Sequence, residues 1–306
     1  MRQSDDGAPF PLALVNRQVR LAVTPPDFDK RVNVCRPDLA DIALADRVSA
    51  AHYAAPVRLT CRADRTAMKS RPSRSATNVS ELLFGEDFAA FEIGGGWAWG
   101  QSLHDGYVGY VAETALAPTG QTATHWVKAP EAWLFSDADI KSSPVSALPM
   151  NAQLPVTGRV GAFHAVGKLG FVHDRHVADL ADRPKHPLDI AKSFLGTPYL
   201  WGGRTRQGID CSGLIQSALM ACDLPCPRDT DQQRKVLGSA VDSTVIQQGD
   251  IVFFPGHVGI MASDSDLLHA NANWMTTVIE PLADVTGRLR ANHAEPITAV
   301  RRLTSV

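Results

Sequence analysis

The sequence predicts an α+β domain at the C-terminal end, preceded by two small all-β barrels. Two changes of pattern carry this prediction. Between about residues 76 and 184, short runs of alternating apolar residues are separated by Gly and Asp-Gly turns, which is typical of small barrels. After Pro187, two helical segments come before several apolar runs of strand length. Helices followed by strands favour an α+β domain over alternating βαβ units.

The bulk composition sets the broad class of the protein. The chain has 306 residues, of which 44% are hydrophobic and 20% are charged, with a formal net charge of −2. These values indicate two or three globular domains and give no sign of a nucleic-acid partner. No apolar run approaches the roughly 20 residues that span a bilayer. The short apolar run Pro9–Val15 follows two aspartates, so we expect no signal peptide and a cytoplasmic protein, with the cell envelope as the alternative.

The five cysteines argue against a disulfide framework, because their number is odd and they are scattered over a long chain. They are Cys35, Cys61, Cys211, Cys222 and Cys226. The last two form a C-x3-C pair, but no second pair or histidine follows at zinc spacing. We therefore expect no metal and no cofactor, and at least one thiol that is free to react.

The first 75 residues are predicted as an N-terminal helical or irregular segment that ends in a linker. Asp38–Ala51 places apolar residues near helical spacing, which predicts a short amphipathic helix. Residues 65–79 are polar and basic, and this composition predicts a solvated linker.

Two repeats of strand-like pattern follow. We place the first barrel at residues 76–122 and the second at 123–184, with the C-terminal domain at 185–306. The run Tyr107–Val111 closes the first segment, and Lys168–Val172 echoes it near the end of the second. This echo indicates that the second barrel is a degenerate copy of the first.

Cys211 is the strongest candidate for chemistry because it opens a predicted helix, Cys211–Ala221. The unpaired amides and positive dipole end of a helix N-terminus stabilise a thiolate, so we expect a lowered thiol pKa. The same amides offer hydrogen bonds to the oxyanion formed on acyl attack. A lone cysteine is more often a buried small hydrophobe, so Cys211 needs partners to be read as a nucleophile.

Two histidines supply those partners. His257 opens an apolar strand and lies between glycines at 256 and 259, whereas His269 lies inside another predicted strand. Either histidine alone would more often be structural. With Cys211 they form the set that thiol catalysis needs: a nucleophile, a base and a group that orients the base.

These motifs resemble, in order and spacing, the NlpC/P60 peptidases over about residues 188–305. The matching strings are Gly196–Gly203, Asp210–Leu214, Gln248–Phe254, Gly256–Ile260 and Leu268–Ala270. The resemblance implies a papain-like catalytic domain, and residues 80–118 similarly resemble a bacterial SH3-like (SH3b) domain. It also implies roles for the catalytic set: Cys211 as nucleophile, His257 as general base and acid, and His269 as the residue that orients His257.

The resemblance also implies substrate contacts. Tyr199 is expected to line the site and to assist the oxyanion, and Trp201 lies in the same string. Asp210 and Ser212 flank the nucleophile and are expected to bind the free amine of an N-terminal L-Ala. Arg228 is expected either to be structural or to face a substrate carboxylate.

The implied function is cleavage of the γ-D-glutamyl–diamino acid bond in muropeptides of the L-Ala-γ-D-Glu-diaminopimelate type. Two alternatives stay open. One is a papain-like amidase or acyltransferase on another small substrate, and the other is a cell-wall-binding module with weak catalysis. The sequence does not give the oligomeric state.

Overall fold

A computed structural model describes residues 28–303, so the expectation about Pro9–Val15 lies outside the described residues. The segment before the barrels contains a parallel pair of short strands and one 3-10 turn: β1 (Leu39–Asp41), β2 (His52–Ala54) and the turn Ile42–Leu44. Val34 and Leu39 of this segment pack against Phe91 and Trp99 of the first barrel. The segment is therefore attached to that barrel through apolar contacts.

The predicted helix at Asp38–Ala51 is wrong. The Tyr53 hydroxyl donates to the carbonyl of Val48 over 2.6 Å and accepts from the Ala50 amide over 3.2 Å. The His52 amide donates to the Asp38 carbonyl, which closes the segment into a loop. Leu44 and Val48 are buried all the same, so their spacing reflects packing onto neighbouring residues rather than a helix face.

The first barrel contains a seven-stranded sheet in the order β5-β4-β8-β7-β6-β3-β9. Its strands are β3 (Val57–Cys61), β4 (Arg65–Lys69), β5 (Asn78–Leu83), β6 (Asp87–Gly94), β7 (Trp97–Ser102), β8 (Val108–Ala112) and β9 (Leu116–Pro118), with a 3-10 turn at Glu113–Ala115. Its core includes Met68, Leu82, Phe88 and Val111. Tyr107 reaches this core as well as the active-site pocket described below.

The predicted linker at residues 65–79 is also wrong, and the barrel begins at Val57 rather than at residue 76. Arg65–Lys69 forms β4, and Met68 is fully buried within it. Two of the charges that suggested a solvated stretch have local partners, because Arg65 bridges Glu81 and the Lys69 ammonium binds two backbone carbonyls. Composition alone does not distinguish such a strand from a linker.

The second barrel combines a five-stranded sheet, β12-β11-β16-β15-β14, with a three-stranded one, β13-β10-β17. Its strands are β10 (His125–Val127), β11 (Glu131–Phe135), β12 (Pro144–Pro149), β13 (Gln153–Leu154), β14 (Gly158–Val160), β15 (Phe163–Ala165), β16 (Phe171–His173) and β17 (Val177–Asp179), with a 3-10 turn at Asp174–His176. The succession β16, 3-10 turn, β17 repeats the succession β8, 3-10 turn, β9. The internal repeat seen in the sequence thus corresponds to equivalent structure.

The C-terminal domain packs a buried helix against a six-stranded antiparallel sheet in the order β20-β25-β21-β22-β23-β24. Its helices are α1 (Pro187–Lys192), α2 (Cys211–Ala221), α3 (Thr230–Val236) and α4 (Leu282–Leu289). Its strands are β18 (Arg204–Thr205), β19 (Gly208–Ile209), β20 (Ser239–Val241), β21 (Ile251–Phe254), β22 (His257–Met261), β23 (Asp266–Asn271), β24 (Thr276–Pro281) and β25 (Ala299–Arg302), with a 3-10 turn at Ser243–Val245. The predicted α+β class with two preceding SH3-like barrels is confirmed.

Both barrels pack on the C-terminal domain. Every residue of α2 is buried, partly beneath the barrels, because Gln216 binds Asp105 of the first barrel and the Ser217 carbonyl accepts from Asn151 of the second. Trp126 of the second barrel joins the core that surrounds α2. Among the described residues, no helix has the length and apolar character needed to cross a membrane.

Candidate active site

The predicted nucleophile, Cys211, is the first residue of α2. Asp210 caps this helix, since its side chain accepts a hydrogen bond from the Gly213 amide over 2.7 Å. A first-turn amide has no partner within its own helix, so the Cys211 amide is available to an oxyanion. All five cysteines of the chain are free, and Cys211 itself is 6% exposed.

The carboxylate of Asp210 is paired with a buried arginine. Arg228 donates to both of its oxygens, over 3.0 and 2.7 Å, and the Gly202 amide donates over 2.8 Å. Arg228 is 1% exposed and also donates to the hydroxyls of Ser212 and Ser80. Asp210 and Ser212 both line the Cys211 pocket, and their amine-binding role stays a prediction.

Of the two roles expected for Arg228, the contacts in the structure favour the structural one. Its guanidinium joins the start of the catalytic helix to Ser80 of the first barrel, and no face of it is left for a substrate carboxylate. The cluster fixes the orientation of the turn that presents Cys211, because each buried charge in it is paired and hydrogen-bonded.

The two predicted histidines lie side by side. His257 begins β22, directly after the tight turn at Pro255-Gly256 that joins it to β21. Its Nε2 lies 2.7 Å from Nδ1 of His269 on the adjacent strand β23. Glu280 of β24, which the sequence analysis missed, lies 2.8 Å from the other nitrogen of His269. A carboxylate at a strand end has no local pattern to mark it, and only the pairing of β23 with β24 brings it there.

The thiol lies next to this pair. The backbone amide of Val258, the residue after His257, and the side chain of Thr230 lie close enough to the Cys211 thiol to oppose the rise in its pKa. Tyr199 lines the same pocket and packs on the same core. Burial raises the pKa of Tyr199, and the neighbouring Cys211 and Asp210 add to the shift. Its phenol therefore stays protonated and able to donate a hydrogen bond.

The predicted lowering of the thiol pKa is wrong for the free protein. Burial raises the pKa of the Cys211 thiol to about 11, and the Asp210 carboxylate adds to this rise. Burial and the nearby His269 lower the pKa of His257 to about 3. Both groups are therefore neutral at pH 7, and desolvation outweighs the helix dipole. Attack on a carbonyl requires transfer of the thiol proton to His257 as the substrate binds or reacts.

The pocket at Cys211 has a volume of about 460 Å³. Trp201 stands at its mouth with 62% of its surface exposed, and Tyr199 lies within it. The predicted residues Asp210 and Ser212 also line it, together with groups that were not among the predicted site residues, which include Arg31, Val79, Tyr107, Asp229 and Asp231. Among the residues from 28 to 303, no three His, Cys, Asp or Glu side chains are grouped so as to hold a metal ion.

Hydrolysis at this site should persist in mild acid. Because His257 has a strongly lowered pKa, it remains a neutral base well below the usual imidazole value of about 6.5. We expect the acid limb of the kcat/KM profile to fall below about pH 5. The measurement is a profile on a cleaved peptide, with stability followed over the same range. If kcat/KM instead fell near the usual imidazole pKa, the pKa of His257 would not be lowered, and the prediction would be wrong.

A buried thiol at a helix start, beside a pair of histidines, defines a site of the papain-like thiol type. Residues 196–285 match the model of the NlpC/P60 family, and residues 69–116 match that of the bacterial dipeptidyl-peptidase Sh3 domain. The chain thus carries an NlpC/P60 domain behind a bacterial SH3 domain, as the sequence resemblance indicated.

Curated relatives share parts of the chain. Dipeptidyl-peptidase 6 of Lysinibacillus sphaericus is 29% identical over 168 residues, which cover 54% of this chain and 60% of the relative. The probable endopeptidase NlpC of Escherichia coli (strain K12) is 38% identical over 93 residues, covering 28% of this chain and 60% of the relative. The γ-D-glutamyl-L-lysine dipeptidyl-peptidase of Bacillus subtilis (strain 168) is 27% identical over 217 residues, covering 65% of this chain and 70% of the relative. The matches thus span 60% of the length of the first two relatives.

A solved structure extends the likeness beyond the catalytic domain. The crystal structure of an NlpC/P60 family protein from Bacillus cereus ATCC 10987 aligns with a TM-score of 0.68 at 19% identity, covering 80% of this chain and 99% of that one. At this level of identity the comparison shows a shared fold, which includes the barrels as well as the catalytic domain.

Proposed function

We propose that this protein is a cysteine endopeptidase that cleaves the γ-D-glutamyl–diamino acid bond of muropeptides with a free N-terminal L-Ala. The proposal rests on the observation that the first barrel and the segment before it close one side of the Cys211 pocket. Val79 and Tyr107 of the barrel and Arg31 of the segment line that side. A pocket of about 460 Å³ with such a wall suits a short peptide rather than an intact wall strand.

The closed side of the pocket is acidic. Asp29, Asp229 and Asp231 share the single guanidinium of Arg31, so the cluster retains negative charge. Asp229 also accepts from the Tyr107 hydroxyl over 3.0 Å. Burial raises the pKa of Asp229, because it disfavours the ionised carboxylate. A further cation that approaches this carboxylate would therefore stabilise its ionised form. A substrate ammonium is such a cation, and we propose that Asp229 binds it.

The names of two relatives support cleavage of the same bond. Two of the curated relatives, from Bacillus subtilis (strain 168) and Bacillus cereus (strain ATCC 10987), are named γ-D-glutamyl-L-lysine dipeptidyl-peptidases. A dipeptidyl-peptidase removes two residues from an amino end, which agrees with an acidic subsite for that end. The diamino acid after the bond is L-lysine in those names, so both L-lysine and diaminopimelate belong among the test substrates.

The chemistry follows from the site. His257 takes the Cys211 proton, and Sγ attacks the γ-glutamyl carbonyl. The Cys211 amide, with the Tyr199 hydroxyl as a second donor, stabilises the oxyanion. His257 then protonates the leaving amine, which departs as the free diamino acid, and the glutamyl group remains as a thioester. Water, deprotonated by His257, cleaves the thioester and restores the thiol.

The test is a product analysis. The protein is incubated with L-Ala-γ-D-Glu-diaminopimelate and with the L-lysine analogue, and the products are identified by mass spectrometry. We expect the dipeptide L-Ala-γ-D-Glu and the free diamino acid from at least one substrate. The absence of product from both would overturn the proposal, and so would product that persists in Cys211→Ala. An acyl-ester panel tests the amidase or acyltransferase alternative, which the acidic wall disfavours.

Asp229→Asn should weaken binding of the free amino end. Asn is as good a helix N-cap as Asp, so α3 should remain intact, but the charge that pairs with the ammonium is lost. We expect KM for the tripeptide to rise about 10-fold or more, the worth of a charge-assisted hydrogen bond. Asp242→Asn, at the exposed cap of a surface 3-10 turn, is the matched control.

The N-acetylated tripeptide completes this comparison. Acetylation removes the ammonium, so wild type should handle the blocked peptide poorly and Asp229→Asn should add no further loss. If the variant instead loses activity equally on both peptides, Asp229 does not bind the amino end.

We further propose that the reaction takes place in the cytoplasm, on wall peptides returned during recycling, and that the barrels shape substrate entry. The placing of Tyr107 in the pocket wall supports the second point. Cell fractionation tests the first. For the second, retention of the protein on purified sacculi would instead favour a wall-anchoring role for the barrels.

A further inference from the structure

Glu280 lies at the far end of the histidine pair and is held by donors from three parts of the domain. His269 Nε2 and Asn271 Nδ2 of β23 lie 2.8 and 3.2 Å from its Oε1. The Trp274 indole and the Arg288 guanidinium of α4 donate to its Oε2 over 3.2 and 2.8 Å. The carboxyl group is only 10% exposed. A side chain so fully engaged, directly behind a catalytic pair, has one defined orientation.

The charge state of Glu280 fixes which nitrogen of His269 carries hydrogen. Burial alone would raise the pKa of Glu280, but hydrogen bonds from Arg288, Trp274 and His269 together lower it. An ionised carboxylate only accepts hydrogen bonds, so His269 must carry its proton on Nε2. Its Nδ1 is then an acceptor.

The tautomer of His269 in turn determines which nitrogen of His257 carries hydrogen. Since Nδ1 of His269 accepts, the 2.7 Å contact requires His257 to donate from Nε2. A neutral imidazole has one N–H, so Nδ1 of His257 keeps its lone pair. That nitrogen is the one left to receive the Cys211 proton.

We propose that Glu280 is a positioning residue that sets the tautomer of His257 through His269. Two imidazoles in contact have two consistent hydrogen-bond directions, and one of them places the proton on His257 Nδ1 and blocks it as a base. The carboxylate of Glu280 permits only the productive direction. The inference rests on the proposed function for its kinetic readout, but not for its spectroscopic one.

Glu280→Gln and Glu280→Ala separate this role from simple packing. Arg288 donates to both oxygens of Glu280, to Oε2 over 2.8 Å and to Oε1 over 2.5 Å, so neither orientation of a Gln amide satisfies all the donors around it. The amide can therefore present either its oxygen or its N–H to His269, and in the second case the proton lies on the wrong nitrogen of His257. Ala leaves His269 free to choose either tautomer. Neither variant should hold His269 in one tautomer, although Gln keeps nearly the shape of Glu.

We expect kcat to fall about 10-fold or more in Glu280→Gln, because part of the enzyme then holds the tautomer that disables the base. Glu280→Ala should lose about 10-fold, the lower range for a lost orienting partner. KM should change little in either variant. Glu295→Gln, at an exposed glutamate after α4, is the control for the substitution itself.

Nitrogen-15 NMR of the imidazoles gives the readout that packing would not move. With His257→Gln used for assignment, the His257 proton should lie on Nε2 in wild type and be shared between Nε2 and Nδ1 in Glu280→Gln. Unchanged tautomers in that variant would overturn the inference, as would wild-type kcat in both variants. If wild type cleaves neither tripeptide, the proposed function fails, while the tautomer comparison still decides the role of Glu280.

Discussion

Cys211→Ala should abolish peptide hydrolysis, with a loss of at least about 10⁴-fold in kcat, since removal of a covalent nucleophile costs this much or more. The fold should be unaffected, because a small side chain replaces another small one at the first position of α2, and Asp210 still caps the helix. The measurement is kcat on the tripeptide that wild type cleaves, with unfolding followed in parallel.

Cys222→Ala is the matched control for this prediction. Cys222 lies at the other end of the same helix, is 8% exposed, and is likewise a free thiol. Its substitution should leave kcat within about twofold, as is usual for a site that touches no reacting group. Loss of activity in both variants would point to a structural effect of α2, and retention of activity in Cys211→Ala would remove Cys211 from the mechanism.

Arg204→Met should lower the free energy of unfolding by about 3–5 kcal/mol, the cost of removing one partner from a buried ion pair. Arg204 of β18 is 1% exposed and binds both oxygens of Glu86 in the first barrel over 3.0 Å. Without Arg204, the Glu86 carboxylate keeps the Leu83 amide as a partner but stays buried with its charge unpaired. Chemical denaturation gives the value.

Two further variants test the cause of this loss. The double variant Arg204→Met with Glu86→Leu removes both charges and should recover much of the lost stability, because well-packed apolar groups often replace buried pairs at little cost. Arg58→Met breaks an exposed pair with Asp87 on the same barrel and should cost about 1 kcal/mol or less. If all three variants lost the same free energy of unfolding, the Arg204–Glu86 pair would contribute no more to stability than an exposed pair does.

The sequence was sufficient for the catalytic domain because its information is local. The helix Cys211–Ala221 and the strands around His257 and His269 are each defined by a short run with its own punctuation. The N-terminal 75 residues carry no motif of comparable specificity. There the Tyr53 hydroxyl binds backbone groups of the segment that was predicted as a helix, and Arg65 of a basic strand pairs with Glu81, so composition and period pointed to the wrong elements.

The candidate active site also contains residues that the sequence predicted and residues that only the tertiary structure brings together. The sequence by itself predicted the set Cys211, His257 and His269, because each stands at the start of or within a recognisable element, and the family resemblance implied their order as nucleophile, base and orienting histidine. Only the tertiary structure brought Asp229 into the wall of the same pocket. There Asp229 contacts Tyr107 and Arg31, the latter 198 positions away, while Asp210 pairs with Arg228. Contacts across such distances arise from packing between domains, which no local spacing encodes.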